Sequence, residues 1–430
     1  AAALASVLIY CLAAAATDKT ERLRVVWQQD PRTSAPIGWD QLGGGRAVLH
    51  YGIWNEDEDP LDQTAQVDRT ENYMGMRNQF VHLSGLTSDA RYRFQIRDDD
   101  GSTAIYWFRT APAAPQPFSF IAGGDTKTDP IGRFRCRRTN RYVPKLRPLF
   151  IVFVGDLTSD GFDARDWQRW LADWSADTRT DDGRLFPIVP VRGNHEPDSE
   201  ILDKLFGLKD ARNYFAFNIG GDLLRVYALN SEINIEKDRP QVSRADATPA
   251  LEEQTAWFLE DLAEHQGVQY KLAAYHKPFR PHTSRKGEND YLYNRWAHLF
   301  YEYRVTMAVE GDSHLHKITY PIRPATGDGA HEGFVRDDAR GTLFLGEGSW
   351  GALPRSADDL KPWTMQAGSF AQFKWVHVYP DHLEIRTVIT EEAAGPAANS
   401  EENLFAVPAD VQLFAPDDQG DVVRYPLAAE

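Results

Sequence analysis

The feature that most constrains the fold is a series of short apolar segments, each followed directly by glycine or histidine and further polar residues. Apolar segments of this length are typical of buried strands. The series comprises Phe118–Ala122 before Gly124-Asp125, Leu149–Val154 before Gly155-Asp156, Phe186–Val191 before Gly193-Asn194-His195-Glu196, Gln269–Tyr275 before His276, and Val305–Val309 before Gly311-Asp312-Ser313-His314. The polar groups are therefore predicted at strand ends, where rigid scaffolds usually display reactive side chains.

Helical patterns lie between these predicted strands. Trp167, Trp170, Leu171 and Trp174 fall at the spacing of one helix face, which predicts a helix packed on the core through its tryptophans. A second helix is predicted over Leu251–Glu264. Further strands are predicted at Gly341–Leu345, Lys374–Tyr379 and His382–Val388. The alternation of strands and helices indicates an α/β domain.

The region before residue 112 has a different pattern, in which strands follow one another without helices. Within Arg91–Arg97, the apolar Tyr92, Phe94 and Ile96 alternate with polar residues, as in a half-buried antiparallel strand. The other predicted strands are Leu23–Trp27, Ala47–Tyr51, Gln79–Leu83 and Ile105–Arg109. This pattern predicts a β-sandwich.

The chain therefore divides into five predicted parts. An apolar N-terminal segment covers residues 1–21, the β-sandwich covers 22–112, and a proline-rich linker covers 113–117. The α/β domain, which bears the polar strand ends, covers residues 118–390. The tail, residues 391–430, is rich in Ala, Glu, Asp and Pro and is expected to pack only loosely.

Composition and charge exclude some classes of partner. The formal net charge is −16, which disfavours binding to nucleic acids because such proteins usually carry a basic field. The uncharged segment Ala1–Ala16 is too short for an ordinary membrane span and resembles the apolar core of a secretory signal. We expect export of the protein, with a retained N-terminal helix as the alternative. Two cysteines, Cys11 and Cys136, imply no disulfide scaffold, and nothing in the sequence indicates an oligomeric state.

The polar strand ends carry the chemistry. Carboxylate, amide and imidazole groups are suitable ligands for divalent cations, and two cations held side by side can acidify water and hold a phosphoryl group. Any one of these motifs alone is weak, because Gly-Asp is a common turn and a lone histidine is more often structural. Their joint occurrence, each after an apolar segment, indicates a phosphoester hydrolase with two divalent metal ions.

These motifs resemble those of the calcineurin-like metallophosphoesterases, and most closely the purple acid phosphatase branch. That family has an aspartate after its first strand, then GDxxY, GNH[ED], an isolated histidine and GHxH. Residues 83–94 also resemble a fibronectin type III domain around its tyrosine corner, with Tyr92 as the corner residue. The resemblance implies a four-layer α/β/β/α metallophosphoesterase sandwich preceded by a fibronectin-like β-sandwich.

The resemblance also implies a role for each motif residue. Asp125 and His314 are implied as ligands of the first metal, Asp156 as the bridging carboxylate, and Asn194 and His276 as ligands of the second metal. His195 is implied as the residue that contacts the substrate phosphate and protonates the leaving oxygen. The implied reaction is attack of a metal-bridging hydroxide on a small-molecule phosphate ester. Analogy with the family favours a monoester over a diester.

This chain departs from the family pattern at three positions. Ser159 replaces the tyrosine of GDxxY, so the purple tyrosinate–iron bond is not expected. Lys127 stands where other branches have a histidine ligand, and it is predicted either to contact the substrate phosphate or to be a solvated loop lysine. Asp312 replaces the first histidine of GHxH and is predicted to bind the second metal, with His316 as a nearby alternative. Oxygen in place of nitrogen ligands favours harder ions, so Mn²⁺, Mg²⁺ or Ca²⁺ are expected to compete with Zn²⁺ or Fe.

Other interpretations of the sequence remain. The changed ligands are compatible with a degenerate site kept as an assembly scaffold, and the N-terminal sandwich alone would suit a carbohydrate- or matrix-binding protein. Glu196 is predicted either to orient His195 or to face solvent. The segment Gly346–Gly351 matches GxGxxG, but Ala352-Leu353-Pro354 follows where a dinucleotide-binding helix would run, so that function is not predicted.

Overall fold

The computed structural model describes residues 19–55, 61–233, 248–417 and 419–426. The apolar segment Ala1–Ala16 lies outside the described residues. Among the residues described, no helix has the length and apolar character needed to cross a bilayer. The fold is a mixed α/β sandwich with a β-rich N-terminal domain, as the sequence predicts.

The N-terminal domain consists of two four-stranded sheets packed face to face, with strand orders β1-β2-β6-β5 and β4-β3-β7-β8. The strands are β1 Thr20–Val25, β2 Ser34–Gln41, β3 Val48–Ile53, β4 Gln63–Gln66, β5 Arg69–Tyr73, β6 Met76–Ser84, β7 Arg91–Arg97 and β8 Tyr106–Arg109. Their inward side chains form a core that includes Trp39, Phe94 and Phe108. The Tyr92 hydroxyl accepts a hydrogen bond of 2.8 Å from the Thr87 N–H, which is the contact of a tyrosine corner.

The first sheet of the second domain has six strands, in the order β11-β10-β9-β21-β22-β23. Strands β9, β10 and β11 are parallel neighbours, so their carboxyl ends lie at the same edge. The strands are β9 Phe118–Gly123, β10 Phe150–Phe153, β11 Ile188–Pro190, β21 Gln372–Val378, β22 Leu383–Ile389 and β23 Val423–Tyr425.

The second sheet has seven strands, in the order β12-β13-β14-β15-β19-β16-β20, and β13, β14, β15 and β19 are parallel. The strands are β12 Phe215–Ile219, β13 Leu224–Ala228, β14 Tyr270–Ala274, β15 Met307–Val309, β16 His316–Thr319, β19 Leu343–Gly346 and β20 Thr364–Gly368. Strands β17 Ile322–Pro324 and β18 Phe334–Arg336 form a separate hairpin.

Helices cover the outer faces of the two sheets. Trp170 and Trp174 contact Phe153 edge-on, with ring centroids 5.5 and 5.7 Å away, which confirms that the tryptophan face packs on the core. On the other side, Phe258 packs on Tyr227. The helices are α1 Pro130–Asn140, α2 Tyr142–Leu146, α3 Ala164–Asp177, α4 Glu200–Phe206, α5 Thr248–Glu264, α6 Asp290–Leu292 and α7 His298–Glu302, with a π-helical turn at Tyr293–Ala297.

The two domains share backbone hydrogen bonds and a continuous core. The Trp27 N–H donates to the carbonyl of Ile188 on the edge strand β11, at 3.0 Å. Trp27 is buried in the same cluster as the strands of the first sheet. Covering an exposed strand edge removes a site for aggregation, so the N-terminal domain protects this edge of the first sheet.

The C-terminal segment packs closely, in contrast to the loose tail expected from its composition. Residues 423–425 extend the first sheet as β23, and Leu413 forms a bridge to Val388. The Lys145 ammonium donates 2.6 Å to the carbonyl of Gly395 and lies 3.0 Å from Asp410. The composition of the segment did not predict this packing. Backbone pairing and single polar contacts hold the segment, and such contacts require few apolar residues.

Candidate metal centre

The predicted ligands converge at the carboxyl ends of the two sheets. Asp125, Asp156 and Asn194 follow β9, β10 and β11 of the first sheet, and His276 and Asp312 follow β14 and β15 of the second. The backbone is left-handed at Asp125, Asp156, Asp312 and His314, with φ between 54° and 66°. Such conformations are uncommon for residues other than glycine and concentrate at functional sites.

Two overlapping groups of side chains have the spacing of metal ligands. The first consists of Asp125, Asp156 and His314, and the second of Asp156, His276 and Asp312, with ligand atoms within 4.8 Å of one another in each group. All five side chains are buried. Because Asp156 belongs to both groups, it lies where a carboxylate can contact two cations.

In the first group, His314 Nε2 lies 3.2 Å from Asp125 Oδ1. The Asp312 N–H donates to both carboxylate oxygens of Asp125, at 3.0 and 3.1 Å. Gly348 packs against the same carboxylate, since a Cβ at this position would lie 2.0 Å from Asp125 Oδ2. Gly348, the middle glycine of the GxGxxG match, therefore permits close packing on a ligand.

In the second group, His276 occupies the centre. Its Nε2 lies 3.2 Å from Asn194 Oδ1, 3.3 Å from Asp156 Oδ1 and 3.7 Å from Asp312 Oδ1. Its Nδ1 lies 2.8 Å from the carbonyl of Val154, a contact in which the ring N–H donates. That hydrogen bond fixes the ring so that Nε2 faces the carboxylates, as in histidines that bind metals.

Glu196 is buried beneath the centre, and both sequence expectations for it are wrong. Its carboxylate accepts hydrogen bonds from the N–H groups of Asp156 at 2.9 Å, Leu157 at 2.9 Å and Gly193 at 2.7 Å. Burial, followed by the charge of Asp156, raises the pKa of Glu196 to about 7. Glu196 therefore holds the two loops that carry Asp156 and Asn194 together.

The carboxylates make the centre strongly attractive to cations. Burial alone would lower the pKa of His276, but Asp156, Asp312 and Asp125 outweigh burial and raise it to about 10. The pKa of Asp312 lies well below its ordinary value, because His276, Lys277 and Lys286 outweigh the effect of burial. A field that retains a proton on a buried imidazole also favours a divalent cation at the same point.

His195 and Lys127 lie together at the open side of the centre. His195 Nδ1 lies 2.6 Å from the carbonyl of Ser159, and its Nε2 lies 3.2 Å from the Lys127 ammonium. The buried thiol of Cys136 supports Lys127, donating to its carbonyl and accepting from its N–H, both at 3.3 Å. Lys127 is thus held beside His195, and its role as a phosphate contact stays a prediction.

Ser159 and His316 take no part in the two ligand groups. The Ser159 hydroxyl accepts a hydrogen bond of 2.8 Å from the Thr128 N–H. His316, the alternative to Asp312, is buried elsewhere, with Nδ1 2.8 Å from the Lys374 ammonium and its ring against Phe370 and Phe414. The alternative fails because His316 is the first residue of β16 and faces a separate polar cluster.

Two lysines that sequence reasoning missed contact the second group. The Lys277 ammonium lies 2.5 Å from Asn194 Oδ1 and 2.8 Å from Asp312 Oδ1, and the Lys286 ammonium lies 2.6 Å from the same Asp312 oxygen. Lys277 directly follows His276, so its position was a usable signal. Lys286 lies in an irregular loop whose course the sequence does not reveal.

The donor set suits divalent cations. It combines three carboxylates, one amide oxygen and two imidazoles, a mixture that hard and intermediate divalent ions accept. Asp125, Asp156 and His314 would hold one ion, and Asp156, Asn194, His276 and Asp312 a second. No cysteine contributes to either group of ligands within the described residues.

Comparison with protein families agrees with this geometry. Residues 124–316 match the model of the calcineurin-like phosphoesterases, and residues 20–110 match that of the purple acid phosphatase N-terminal domain. The chain therefore contains a calcineurin-like phosphoesterase domain, preceded by a purple acid phosphatase N-terminal domain.

Similar proteins share this organisation. An uncharacterized protein from two strains of Mycobacterium tuberculosis is 24% identical, over 76% of this chain and 69% of the relative. A purple acid phosphatase from yellow lupin (Lupinus luteus) seeds has a TM-score of 0.63 at 12% identity, covering 91% of this chain and 76% of the lupin chain. A structure of PhoD has a TM-score of 0.60 at 11% identity, covering 86% of this chain and 87% of the PhoD chain. At these identities the two structures establish the fold alone.

Proposed function

We propose that the protein is a metal-dependent phosphomonoesterase with a binuclear centre. The observation that carries the proposal is the position of Asp156, which shares one buried carboxylate between two groups of metal ligands. Bound divalent cations supply Lewis acidity and lower the pKa of water, which is the chemistry that phosphoester hydrolysis requires.

The residues around the centre supply the remaining parts of the reaction. Lys127 is a point charge for a non-bridging phosphate oxygen. His195 Nε2 faces the same space, and its Nδ1–H is anchored on Ser159, so the ring can present Nε2 to a leaving oxygen. A general acid of this kind contributes typically about 10²–10⁴-fold.

The ligand set also supports a proposal about the metals. Asp312 supplies an oxygen where the family pattern has a histidine nitrogen, and Ser159 supplies no phenolate. We therefore propose that Mn²⁺, Mg²⁺ or Ca²⁺ compete with Zn²⁺ or Fe. Elemental analysis that found tightly bound Fe³⁺ and Zn²⁺ would contradict this, as would a purple tyrosinate band.

The most direct test is a metal-by-substrate screen of the wild type against Asn194→Ala. Each metal is tested with a chromogenic phosphomonoester and the matching diester. We expect monoester turnover that depends on added metal and is lost in Asn194→Ala. Preference for the diester would assign a phosphodiesterase to the same site. An inert protein that binds no metal would favour the degenerate scaffold.

Export of the protein is a separate proposal. It rests on the resemblance of Ala1–Ala16 to the core of a secretory signal. Fractionation of cells that express the full chain, followed by detection of the protein in each compartment, tests it. Recovery of all the protein in the cytosol would contradict the proposal.

A further inference from the structure

The two cation positions differ in their neighbours. At the second position, the oxygens of Asn194 and Asp312 are both hydrogen-bonded to lysine ammonium groups. At the first position, the side-chain ion pair of Asp125 within the described residues is with His314. We call Lys277 and Lys286 the lysine clamp.

The clamp occupies one of the two carboxylate oxygens of Asp312. A carboxylate oxygen has about two acceptor sites. Asp312 Oδ1 lies 2.8 Å from Lys277 Nζ and 2.6 Å from Lys286 Nζ, so both sites on this oxygen are used. The same oxygen is the one that lies 3.7 Å from His276 Nε2. A cation cannot use this oxygen until one lysine moves away.

The two lysines of the clamp are more exposed than the carboxylate that they contact. The side chain of Lys286 is 26% exposed and that of Lys277 is 13% exposed, whereas Asp312 is 5% exposed. Both ammonium groups therefore lie on the open side of the carboxylate. Primary ammonium groups on flexible stems bind phosphate as readily as carboxylate. An anion at the mouth therefore competes with Asp312 for the lysines.

We propose that the lysine clamp makes the second cation and the phosphate group bind cooperatively. The first position binds a divalent cation in the resting protein. The second position binds one weakly until a phosphate group draws Lys277 and Lys286 from Asp312. This inference rests on the proposed binuclear centre, and it adds an order of assembly in which the substrate completes the site.

The expected coupling follows from the hydrogen bonds that must be exchanged. A hydrogen bond to a charged group corresponds to roughly 10–100-fold in an equilibrium constant. We therefore expect phosphate to raise the affinity of the second position for a cation at least tenfold. By linkage, the second cation must raise the affinity for phosphate by the same factor.

Calorimetric titration of the metal-stripped full chain with Mn²⁺, with and without inorganic phosphate, tests this coupling. We expect one tight and one weak site without phosphate, and two tight sites with it. In Lys277→Met/Lys286→Met, both sites should be tight without phosphate. Lys286→Gln alone should give an intermediate result, and Lys286→Arg should keep the second site weak. Lys204→Met, which removes a lysine paired with Glu200 far from the centre, is the matched control.

Thermal unfolding of each variant, together with unchanged Mn²⁺ binding at the first site, shows whether the variant is folded. If the double variant does not fold, Lys286→Gln takes its place in the test. Two tight Mn²⁺ sites in the wild type without phosphate would overturn the inference and leave the proposed phosphatase intact. A second site that stays weak and phosphate-dependent in the folded variants would also overturn it. Absence of any Mn²⁺ binding would overturn both the inference and the proposed function.

Discussion

The two ligand groups of the candidate metal centre, here called its first and second halves, lie side by side. They differ in the groups that pair with their carboxylates. The first half has three ligands, Asp125, Asp156 and His314, and the Asp125 carboxylate accepts from one backbone N–H, that of Asp312. The second half has a larger donor set, and its oxygens are bonded to two lysines. The difference shows that counting ligands does not rank two cation sites, because nearby ammonium groups can neutralise the richer one.

Replacement of the residue common to both halves should have the largest effect. In Asp156→Ala we expect Mn²⁺ binding to be lost at both positions and kcat/KM to fall at least ~10³-fold, since bound cations supply several kcal/mol of transition-state stabilisation. Metal analysis and phosphomonoester kinetics measure the two effects. Asp203→Asn, which alters a partly buried ion pair with Arg69 outside both ligand groups, is the control. Retention of one full site in Asp156→Ala would show that the halves are independent.

Loss of the proposed acid should separate catalysis from metal binding. In His195→Gln we expect both cations to be retained and kcat/KM to fall about 10²-fold or more for an alkyl phosphate, whose leaving group needs a proton. A nitrophenyl phosphate should lose much less, because its leaving group needs little protonation. Kinetics on this pair of substrates measure the difference. Equal losses for the two esters would rule out the acid role and indicate positioning alone.

Glu196→Gln should weaken both halves together through the backbone. The amide nitrogen of Gln cannot accept from the N–H groups that now donate to the carboxylate. We expect a loss of about 1–3 kcal/mol in the free energy of unfolding, the usual cost of an unsatisfied buried donor. Denaturant unfolding of the metal-free chain measures it. No change in the unfolding midpoint would mean that these three hydrogen bonds make no net contribution to the free energy of unfolding.

Lys127→Ala should have the smallest effect on activity of the four variants. Lys127 lies two residues after Asp125, a ligand of the first half. We expect KM for phosphomonoesters to rise about tenfold, since one charge-assisted contact of roughly 1.5–3 kcal/mol is removed from bound phosphate. Mn²⁺ content should not change, and Lys127→Arg should restore most of the affinity. Steady-state kinetics at matched ionic strength give the comparison. Unchanged kinetics in Lys127→Ala would assign the lysine to solvent.

The sequence predicted the parts of the site that follow a local rule. Asp125, Asp156 and Asn194 follow apolar strands, and parallel neighbours in a sheet must present their carboxyl ends together, so their convergence was predictable. His276 and Asp312 follow the same rule on the second sheet. Tyr92 was identifiable because strand alternation and the preceding turn are both local.

The parts that were missed depend on contacts between distant loops. The sequence predicted that Glu196 either orients His195 or faces solvent, because its three donors are backbone N–H groups, which no side-chain pattern reveals. Lys286 reaches Asp312 across an irregular loop. Strand β2, Ser34–Gln41, has a sequence with proline and glycine that weakens a strand prediction, and its pairing with β6 overrides that weakness.

The position of Cys136 has a practical consequence. Burial raises the pKa of this thiol to about 12, and its sulfur lies between the Lys127 backbone and Gly351, where a Cβ would lie 2.1 Å away. A thiol in this state does not react with alkylating reagents while the loops are closed. In a variant that lacks Cys11, the rate of its modification would therefore report how often the contacts around Lys127 and Gly351 open.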